Sequence, residues 1–190
     1  VKNYRHVRGD TLSIRSNNVQ DIAADGHGNL WIGSDAGIQL FSPATGQRVP
    51  YLTVGPAPRG TYMTMLSVDR TGTLWIGTVY GGVQWLSPKS RLLPHYGLRN
   101  PYGTSPRALA TIERDRDGNT WFTSYDGMIY HIDIPSQSVK EIIDVFRGKR
   151  TSFGNYRSFI DRNGTFWFGT WGLGLFRIDL PSGQVWNYGP

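Results

Sequence analysis

The sequence predicts an all-β protein, a β-propeller of four four-stranded blades, and two features support this fold class. One is a short pattern, Asp-x-x-Gly-x-x-Trp, which occurs four times with its tryptophans 44, 46 and 46 residues apart. The other is the punctuation of short apolar runs by glycine and proline. A period in the forties is typical of propellers and solenoids. The four copies contain Asp25, Gly28 and Trp31; Asp69, Gly72 and Trp75; Asp115, Gly118 and Trp121; and Asp161, Gly164 and Trp167.

Each repeat is predicted to hold four short antiparallel strands. The Asp accepts hydrogen bonds from turn amides, and the Gly supplies the positive φ that a tight turn needs. The apolar run around the Trp does not alternate with polar residues, which suits a strand covered on both faces. A second Gly then opens another strand, and a Pro closes it. We therefore expect structural roles for the repeated Asp, Gly and Trp, and no helix longer than one or two turns.

The predicted blades span residues 19–52, 62–96, 109–145 and 156–188, within a single domain of residues 1–190. Val1–His6 is predicted to be a leftover strand of a preceding blade, because Asn3-Tyr4 repeats Asn187-Tyr188 near the end of the fourth blade. A spare strand beside four complete repeats indicates a segment of a larger propeller. A closed four-blade ring is the alternative. A flat solenoid is disfavoured by four strands and three tight turns per repeat.

Composition limits the classes of function. The chain has 190 residues, 38% hydrophobic content and no cysteine, so it can bury a core but forms neither disulfides nor thiolate sites. No apolar stretch approaches the roughly 18 residues of a membrane span, and the first residues lack the apolar core of a signal peptide. The net charge of +6 favours an acidic partner.

The positive charge is concentrated between the repeats. The segments Tyr4–Asn18, Thr53–Tyr62, Tyr96–Ala108 and Phe146–Arg157 hold half of the 20 basic residues and one acid, Asp10. In a propeller these connections emerge on the same face as the loops between second and third strands. We expect a basic face edged with aromatic rings, although solvated loops without a ligand would show the same charges. The candidate ligand-binding residues are Arg99, Arg107, Arg150 and Arg157 for anionic groups, and Tyr80, Tyr125 and Trp171 for stacking.

No catalytic, metal or cofactor site is predicted. The four repeated Asp residues occupy equivalent turns around a ring and so do not converge. The histidines, at positions 6, 27, 95 and 131, fall at four different repeat positions without ligand spacing. The run from Asp115 fails the calcium-loop pattern because its sixth residue is Thr120 rather than Gly. Nucleic acid is not an expected partner, since charge alone favours it and no motif does.

The repeat closely resembles the two-component regulator propeller repeat, best in the second and fourth copies. These read Asp-x-x-Gly-Thr-Leu/Phe-Trp-Ile/Phe-Gly-Thr, followed by Gly-Gly-Val or Gly-Leu-Gly-Leu. That family forms the extracytoplasmic sensor region of bacterial hybrid histidine kinases and related regulators, some ending in diguanylate cyclases. The resemblance implies a non-catalytic, periplasmic segment that senses an extracellular small molecule or oligosaccharide. It also implies further blades and signalling domains in the parent chain.

The third repeat departs from this pattern at Thr120 and Thr123 and is similar to repeats of streptogramin lyase. An enzyme of that kind needs converging His, Glu and metal, and this chain has only two Glu residues, Glu113 and Glu141. A protein-interaction platform or a homodimerisation surface is the third interpretation. Together with the basic loops, the resemblance favours a sensor segment that recognises an anionic glycan.

Overall fold

The computed structural model describes residues 1–49, 63–79, 82–87, 95–96, 108–133, 138–147 and 156–189. Within these ranges the chain forms four four-stranded sheets and no helix, and in each sheet the strands lie in chain order and pair antiparallel. The predicted all-β architecture of four four-stranded blades is confirmed. The strands are β1 Val19–Ala24, β2 Leu30–Ser34, β3 Gly37–Ser42, β4 Gln47–Val49, β5 Met63–Val68, β6 Leu74–Thr78, β7 Gly82–Leu86, β8 His95–Tyr96, β9 Leu109–Arg114, β10 Thr120–Ser124, β11 Met128–Asp133, β12 Ser138–Asp144, β13 Arg157–Ile160, β14 Phe166–Thr170, β15 Gly174–Asp179 and β16 Gln184–Tyr188.

Val1–His6 has no strand structure in this chain. Because a leftover strand would pair with strands of a preceding blade, its assignment to such a blade stays a prediction. The backbone of this segment bonds to polar side chains of the following loop instead of to a sheet. The His6 amide donates to Asn17 Oδ1 at 2.8 Å, and the Val7 amide donates to Ser13 Oγ at 3.0 Å. Tyr4 nevertheless packs edge-on against Phe41 of the first blade, with ring centroids 4.8 Å apart. The segment therefore covers a blade face without extending a sheet.

The repeated Asp organises the turn between the first and second strands of each blade. In the second blade Asp69 Oδ1 accepts from the amides of Thr71 and Thr73, at 2.7 and 3.1 Å. Its other oxygen accepts from the Trp75 indole N–H at 2.9 Å. The turn glycine Gly72 has φ 79°, in the left-handed region that favours glycine. One carboxylate thus joins the turn to the tryptophan six residues later, which is a local reason for the Asp-x-x-Gly-x-x-Trp spacing.

The chain divides into two compact units, residues 1–96 and 97–190, each with two blades. In both units the Trp-bearing face of the earlier blade packs against an aliphatic or Phe-bearing face of the later one. In the first unit Trp31 and Leu40 meet side chains of β5 and β6, including Leu66, Leu74 and Ile76. Apolar burial between blades is the main stabilising contribution expected of such a contact.

The second unit repeats this arrangement with larger rings. Trp121 and Ile129 of the third blade share a core with Phe166, Phe168 and Ile178 of the fourth. The last three side chains are fully buried. The core of each unit therefore lies between its two sheets, and the strand ends and loops stay at the surface. Among the described residues no helix is long and apolar enough to cross a bilayer.

Candidate functional site

The loops between second and third strands lie beside the connections that lead into the first strands. In the first unit Asn18 Nδ2 donates to Asp35 Oδ2 at 3.4 Å, and Asp35 follows β2. A hydrogen bond from the Ser16 hydroxyl holds the pKa of Asp35 below its usual value. In the second unit the Tyr125 amide, just after β10, donates to the Ala108 carbonyl just before β9, at 3.0 Å. In the first and third blades these loops therefore lie together at one end.

Three of the seven predicted ligand-binding residues lie in the described part of the chain, namely Arg157, Tyr125 and Trp171. The other four, Arg99, Arg107, Arg150 and Tyr80, lie outside the described residues.

Arg157 and Trp171 lie at the same end of the fourth blade. Arg157 begins β13 and pairs with Gly169, which comes two residues before Trp171. The Arg157 side chain is exposed, and its Nη1 donates to the Tyr156 carbonyl at 2.9 Å. Trp171, in the loop between β14 and β15, exposes 73% of its surface. An exposed guanidinium and an exposed indole at one end of a blade suit an anionic group and a flat ring, because one offers paired donors and the other a stacking surface.

Tyr125 is less available than the sequence suggests. Its ring centroid lies 5.3 Å from that of Tyr156, and it packs against the core of the second unit. The side chain is half-buried. Tyr125 therefore contributes to packing beneath the loops rather than offering a free ring face, a contact between residues about thirty positions apart that the sequence does not reveal.

The structure adds Arg147, a basic residue of the segment Phe146–Arg157. Its φ of 52° is the one positive value recorded for a non-glycine residue in the described part of the chain. The preceding Phe146 is buried and packs on Phe168 and Phe176, with ring centroids 6.1 and 5.6 Å apart. A left-handed arginine after a buried anchor presents its side chain at the surface, and such backbone conformations concentrate at functional sites. The backbone φ angle, and not the sequence, singles out Arg147 as a candidate.

Asp69, Asp161 and the histidines at positions 6, 27 and 131 are engaged in local contacts. Hydrogen bonds hold the pKa of Asp161 below its usual value, first from the Trp167 indole and then from the Thr165 and Asn163 amides. For Asp69 burial alone would raise the pKa, but hydrogen bonds from Thr71 and Trp75 outweigh it and the net pKa is lowered. These shifts describe carboxylates that cap turns. His6 Nδ1 lies 2.9 Å from the Ile14 carbonyl, His27 Nδ1 lies 3.1 Å from the Asp25 carbonyl, and the His131 ring stacks on Trp121 at 4.5 Å. The described residues contain no group of three or more metal-ligating side chains.

A polar cluster lies between the third and fourth blades. Ser158 Oγ donates to Glu113 Oε1 at 2.7 Å, and the Thr111 and Thr123 hydroxyls are 2.6 Å apart. A short hydrogen bond between Thr111 and Ser158 joins the two pairs. Burial raises the pKa of Glu113, although the Ser158 hydrogen bond lowers it in part. The cluster occupies the interior of a blade interface, so it is a structural element and not an open site.

Comparisons with known proteins support the propeller fold of the chain. Residues 13–36, which contain the first Asp-x-x-Gly-x-x-Trp copy, match the profile of the family described as two component regulator propeller. The resemblance noted in the sequence is confirmed. No curated protein shows a significant match.

Three solved structures from B. thetaiotaomicron are similar in fold. One is the extracellular domain of a protein assigned as a one component system, with 21% identity and a TM-score of 0.70 over 96% of this chain and 23% of that one. Another structure of the extracellular domain of that same protein, there assigned as a hybrid two component system, gives 23% identity and a TM-score of 0.69 over 97% of this chain and 26% of that one. A third structure, the extracellular domain of a further hybrid two component system, gives 18% identity and a TM-score of 0.50 over 96% of this chain and 30% of that one.

This chain thus spans about a quarter of the length of the first two solved domains, which are 23% and 26% covered. At these identities the likeness shows the fold. The chain carries a two component regulator propeller repeat, and its four sheets are propeller blades of the kind found in these extracellular domains.

Proposed function

We propose that this chain is an extracytoplasmic, non-catalytic segment of a bacterial two-component regulator and that it senses an anionic glycan. The observation that carries the proposal is that Arg157 and Trp171 are both exposed at the loop end of the same blade. The fold supports an extracytoplasmic location, because two similar structures are of the extracellular domain of one protein, assigned as a one component system in one and as a hybrid two component system in the other. A periplasmic location and signalling domains elsewhere in the parent chain belong to the same proposal.

The distribution of charge supports an anionic ligand. The loops that lead into the first strands are basic, whereas the opposite turns each contain a repeated Asp. Arg5, Arg8 and Arg147 are exposed in the described part of these loops. Guanidinium groups bind carboxylates and sulfates through paired hydrogen bonds. Loops on a rigid sheet scaffold can vary their chemistry without disturbing the core, which makes this end the natural place for recognition.

The experiment is a glycan array of neutral and acidic oligosaccharides, read at low and physiological salt. It compares the wild type with Arg157→Ala and Trp171→Ala. The matched control is Arg162→Ala, since Arg162 is also exposed on the fourth blade but lies in the Asp161 turn at the other end. Each loop substitution should weaken binding by roughly tenfold to a hundredfold, the equivalent of about 1.5–3 kcal/mol for a charged contact.

The series of alanine substitutions also includes the other loop arginines that the sequence predicts to bind the ligand, namely Arg99, Arg107 and Arg150. Binding of acidic oligosaccharides that survives every loop substitution, or that is lost in Arg162→Ala, would place the ligand elsewhere and refute the proposed site. An array in which only neutral oligosaccharides bind would refute the anionic ligand while leaving a sensor role to be tested with other chemistry.

A further inference from the structure

The turn between the first and second strands of the fourth blade contains an asparagine that the other three turns lack at that position. The residues two positions after the repeated Asp are all exposed, and they are His27, Thr71, Asp117 and Asn163. Asn163 is followed by Gly164 and Thr165, so this turn contains the sequence Asn-x-Thr. Asn-x-Ser/Thr with a middle residue other than Pro is the acceptor sequence of N-linked glycosylation. It occurs nowhere else in the 190 residues.

The Asn163 carboxamide is available for reaction. The Asn163 backbone amide donates to Asp161 Oδ1 at 2.8 Å, but its side chain makes no hydrogen bond with any residue that the structure describes. The corresponding side chains of the first two turns fold back instead. His27 Nδ1 lies 3.1 Å from a carbonyl of its own turn, and the Thr71 hydroxyl bonds to Asp69 Oδ1 at 2.5 Å. Among these three turn residues, Asn163 alone leaves its functional group to solvent.

The asparagines of the other turns lie two positions further on and are held in place. Asn29 Nδ2 donates to Asp25 Oδ2 at 2.8 Å, and Asn119 Nδ2 donates to Asp115 Oδ2 at 2.7 Å. The fourth turn has Thr165 at that position, where its backbone amide donates to the turn carboxylate at 3.0 Å. The Thr165 hydroxyl has no hydrogen bond within the described ranges. The fourth turn therefore offers both a free carboxamide and the hydroxyl that the acceptor sequence requires.

The backbone fixes Asn163 at the tip of its turn. The Gly164 amide donates to the Asp161 carbonyl at 3.0 Å, which closes a four-residue turn with Asn163 in the third position. Gly164 has φ 82°, in the left-handed region that favours glycine. This turn and the loop that contains Trp171 lie at opposite ends of β14. A bulky group on Asn163 would therefore enter solvent without covering the proposed ligand site.

We propose that Asn163 is the acceptor of an N-linked oligosaccharide. The donor is an oligosaccharide bound to a lipid diphosphate, and an oligosaccharyltransferase catalyses the transfer. Asn163 Nδ2 forms a bond to the anomeric carbon of the first sugar, the bond from that carbon to the diphosphate oxygen breaks, and its electron pair leaves with the lipid diphosphate. The proton lost from Nδ2 passes to a base of the transferase. The proposal rests on the extracytoplasmic location in the proposed function, because acceptor sequences are used in secreted chains, but it does not depend on the ligand.

The test uses the folded 190-residue chain, the lipid-diphosphate-linked oligosaccharide and an oligosaccharyltransferase that accepts the synthetic peptide Asp-Arg-Asn-Gly-Thr. Mass spectrometry of the intact protein should show one added oligosaccharide per chain, and peptide mapping should locate it on Asn163. Asn163→Gln and Thr165→Val should each abolish the addition, whereas Thr165→Ser should retain it. The glycan array tests the ligand site separately, so either proposal can fail without the other.

The second blade offers a matched control. Its turn reads Asp-Arg-Thr-Gly-Thr, so Thr71→Asn copies the sequence of the fourth turn. The Gly72 amide donates to the Asp69 carbonyl at 2.9 Å, as in the fourth turn. In the Asn163→Gln background, Thr71→Asn should restore the addition of one oligosaccharide. A folded chain that gains none while the synthetic peptide is modified, or that gains it only after thermal unfolding, overturns the proposal, because the turn then does not present Asn163. Addition that persists in Asn163→Gln alone overturns it as well.

Discussion

The two blade interfaces, one in each unit, use the same repeat positions for different chemistry. In the first unit the Met63 side chain fills the notch above the glycine after the Trp strand, Gly33, and the contact is apolar. In the second unit Thr123 replaces that glycine, and its hydroxyl bonds to Thr111. The departure of the third repeat from the pattern is therefore a change from an inserted methionine to a hydrogen-bonded cluster.

The polar bond that crosses each interface also differs. In the first unit Asp21 Oδ2 accepts from the Leu66 backbone amide at 2.6 Å, joining the first strands of two blades directly. In the second unit Ser158 occupies the repeat position of Leu66, and its hydroxyl bonds both Thr111 and Glu113. Because Ser158 donates to Glu113, Thr111 must donate to Ser158 and Thr123 to Thr111. The result is a directed chain of hydroxyls that ends at a carboxylate.

This difference teaches how one repeat can accommodate two kinds of interface. An apolar insertion depends on volume, and a neighbouring side chain can shift to absorb small errors. A buried hydroxyl chain depends on every donor having an acceptor, so the removal of one member leaves another unsatisfied. We expect substitutions in the second unit to show stronger coupling between residues and a dependence on pH.

The largest effect expected is from removal of the buried tryptophan of the third blade. Trp121→Ala deletes a ring that is 4% exposed in the core of the second unit and leaves Asp115 without its indole donor. The free energy of unfolding should fall by about 3–5 kcal/mol, measured by denaturant titration. Trp171→Ala is the matched control, because that ring is 73% exposed and should cost less than about 0.5 kcal/mol. Equal losses would contradict the packing role.

The next effect tests the notch in the first unit. Gly33→Val places side-chain atoms where the Met63 side chain lies, and overpacking of this kind costs about 1–3 kcal/mol. Met63→Ala alone should destabilise by about 2–5 kcal/mol, since a 5% exposed side chain is lost. In the double variant the valine enters the space that Met63 leaves. The double variant should therefore lose less stability than the two single variants lose together. Strict additivity in the double-mutant cycle would show that the two residues do not share the notch.

The comparison also separates what local sequence can predict from what it cannot. The Asp-x-x-Gly-x-x-Trp spacing predicted four blades because the carboxylate, turn amides and indole lie within six residues, as with Asp69 and Trp75. The notch depends on Gly33 and Met63, thirty positions apart, and the hydroxyl chain joins Thr111 to Ser158 across 47. The spacing within one repeat does not predict such contacts, because they join side chains of neighbouring repeats.

The same distinction between predictable and unpredictable features applies to the candidate site. The loop position and exposure of Arg157 and Trp171 were predictable, because strand order decides which end of a blade a loop occupies. The packing of Tyr125 on Tyr156 was not, since it depends on how two connections cross. The bonds at the start of the chain were not predictable for a related reason, since the His6 and Val7 amides donate to side chains of the next loop. Contacts between different segments of the chain determine the structure at each of these residues.

A smaller effect tests the hydroxyl chain. Thr123→Val keeps the shape of a fully buried side chain but removes the donor to Thr111. The loss of one buried hydrogen bond should lower the free energy of unfolding by about 1–2 kcal/mol. Thr45→Val, at an exposed turn position, is the control and should change stability by less than about 0.5 kcal/mol. If both variants are equally stable, the hydroxyl contributes nothing to the interface.

The smallest effect, and the most specific to the second unit, is a pH dependence at Glu113. Burial raises the pKa of Glu113 in the folded state, so its contribution to stability is complete below the unfolded pKa and is lost as pH rises through the folded pKa. The groups that face it are the Ser158 hydroxyl, which donates to it, and Trp121, its partner across β9 and β10. Glu113→Gln keeps the acceptor and removes the titration, so its stability relative to wild type should increase as pH rises from about 4 to 7.

Asp69→Asn should change in the opposite sense, since the lowered pKa of Asp69 stabilises the fold above its usual pKa and the advantage disappears on acidification. Unfolding curves at several pH values would measure both. Parallel curves for wild type and Glu113→Gln would show that this carboxyl is not desolvated in the folded protein, and the second interface would then lack the expected dependence on pH.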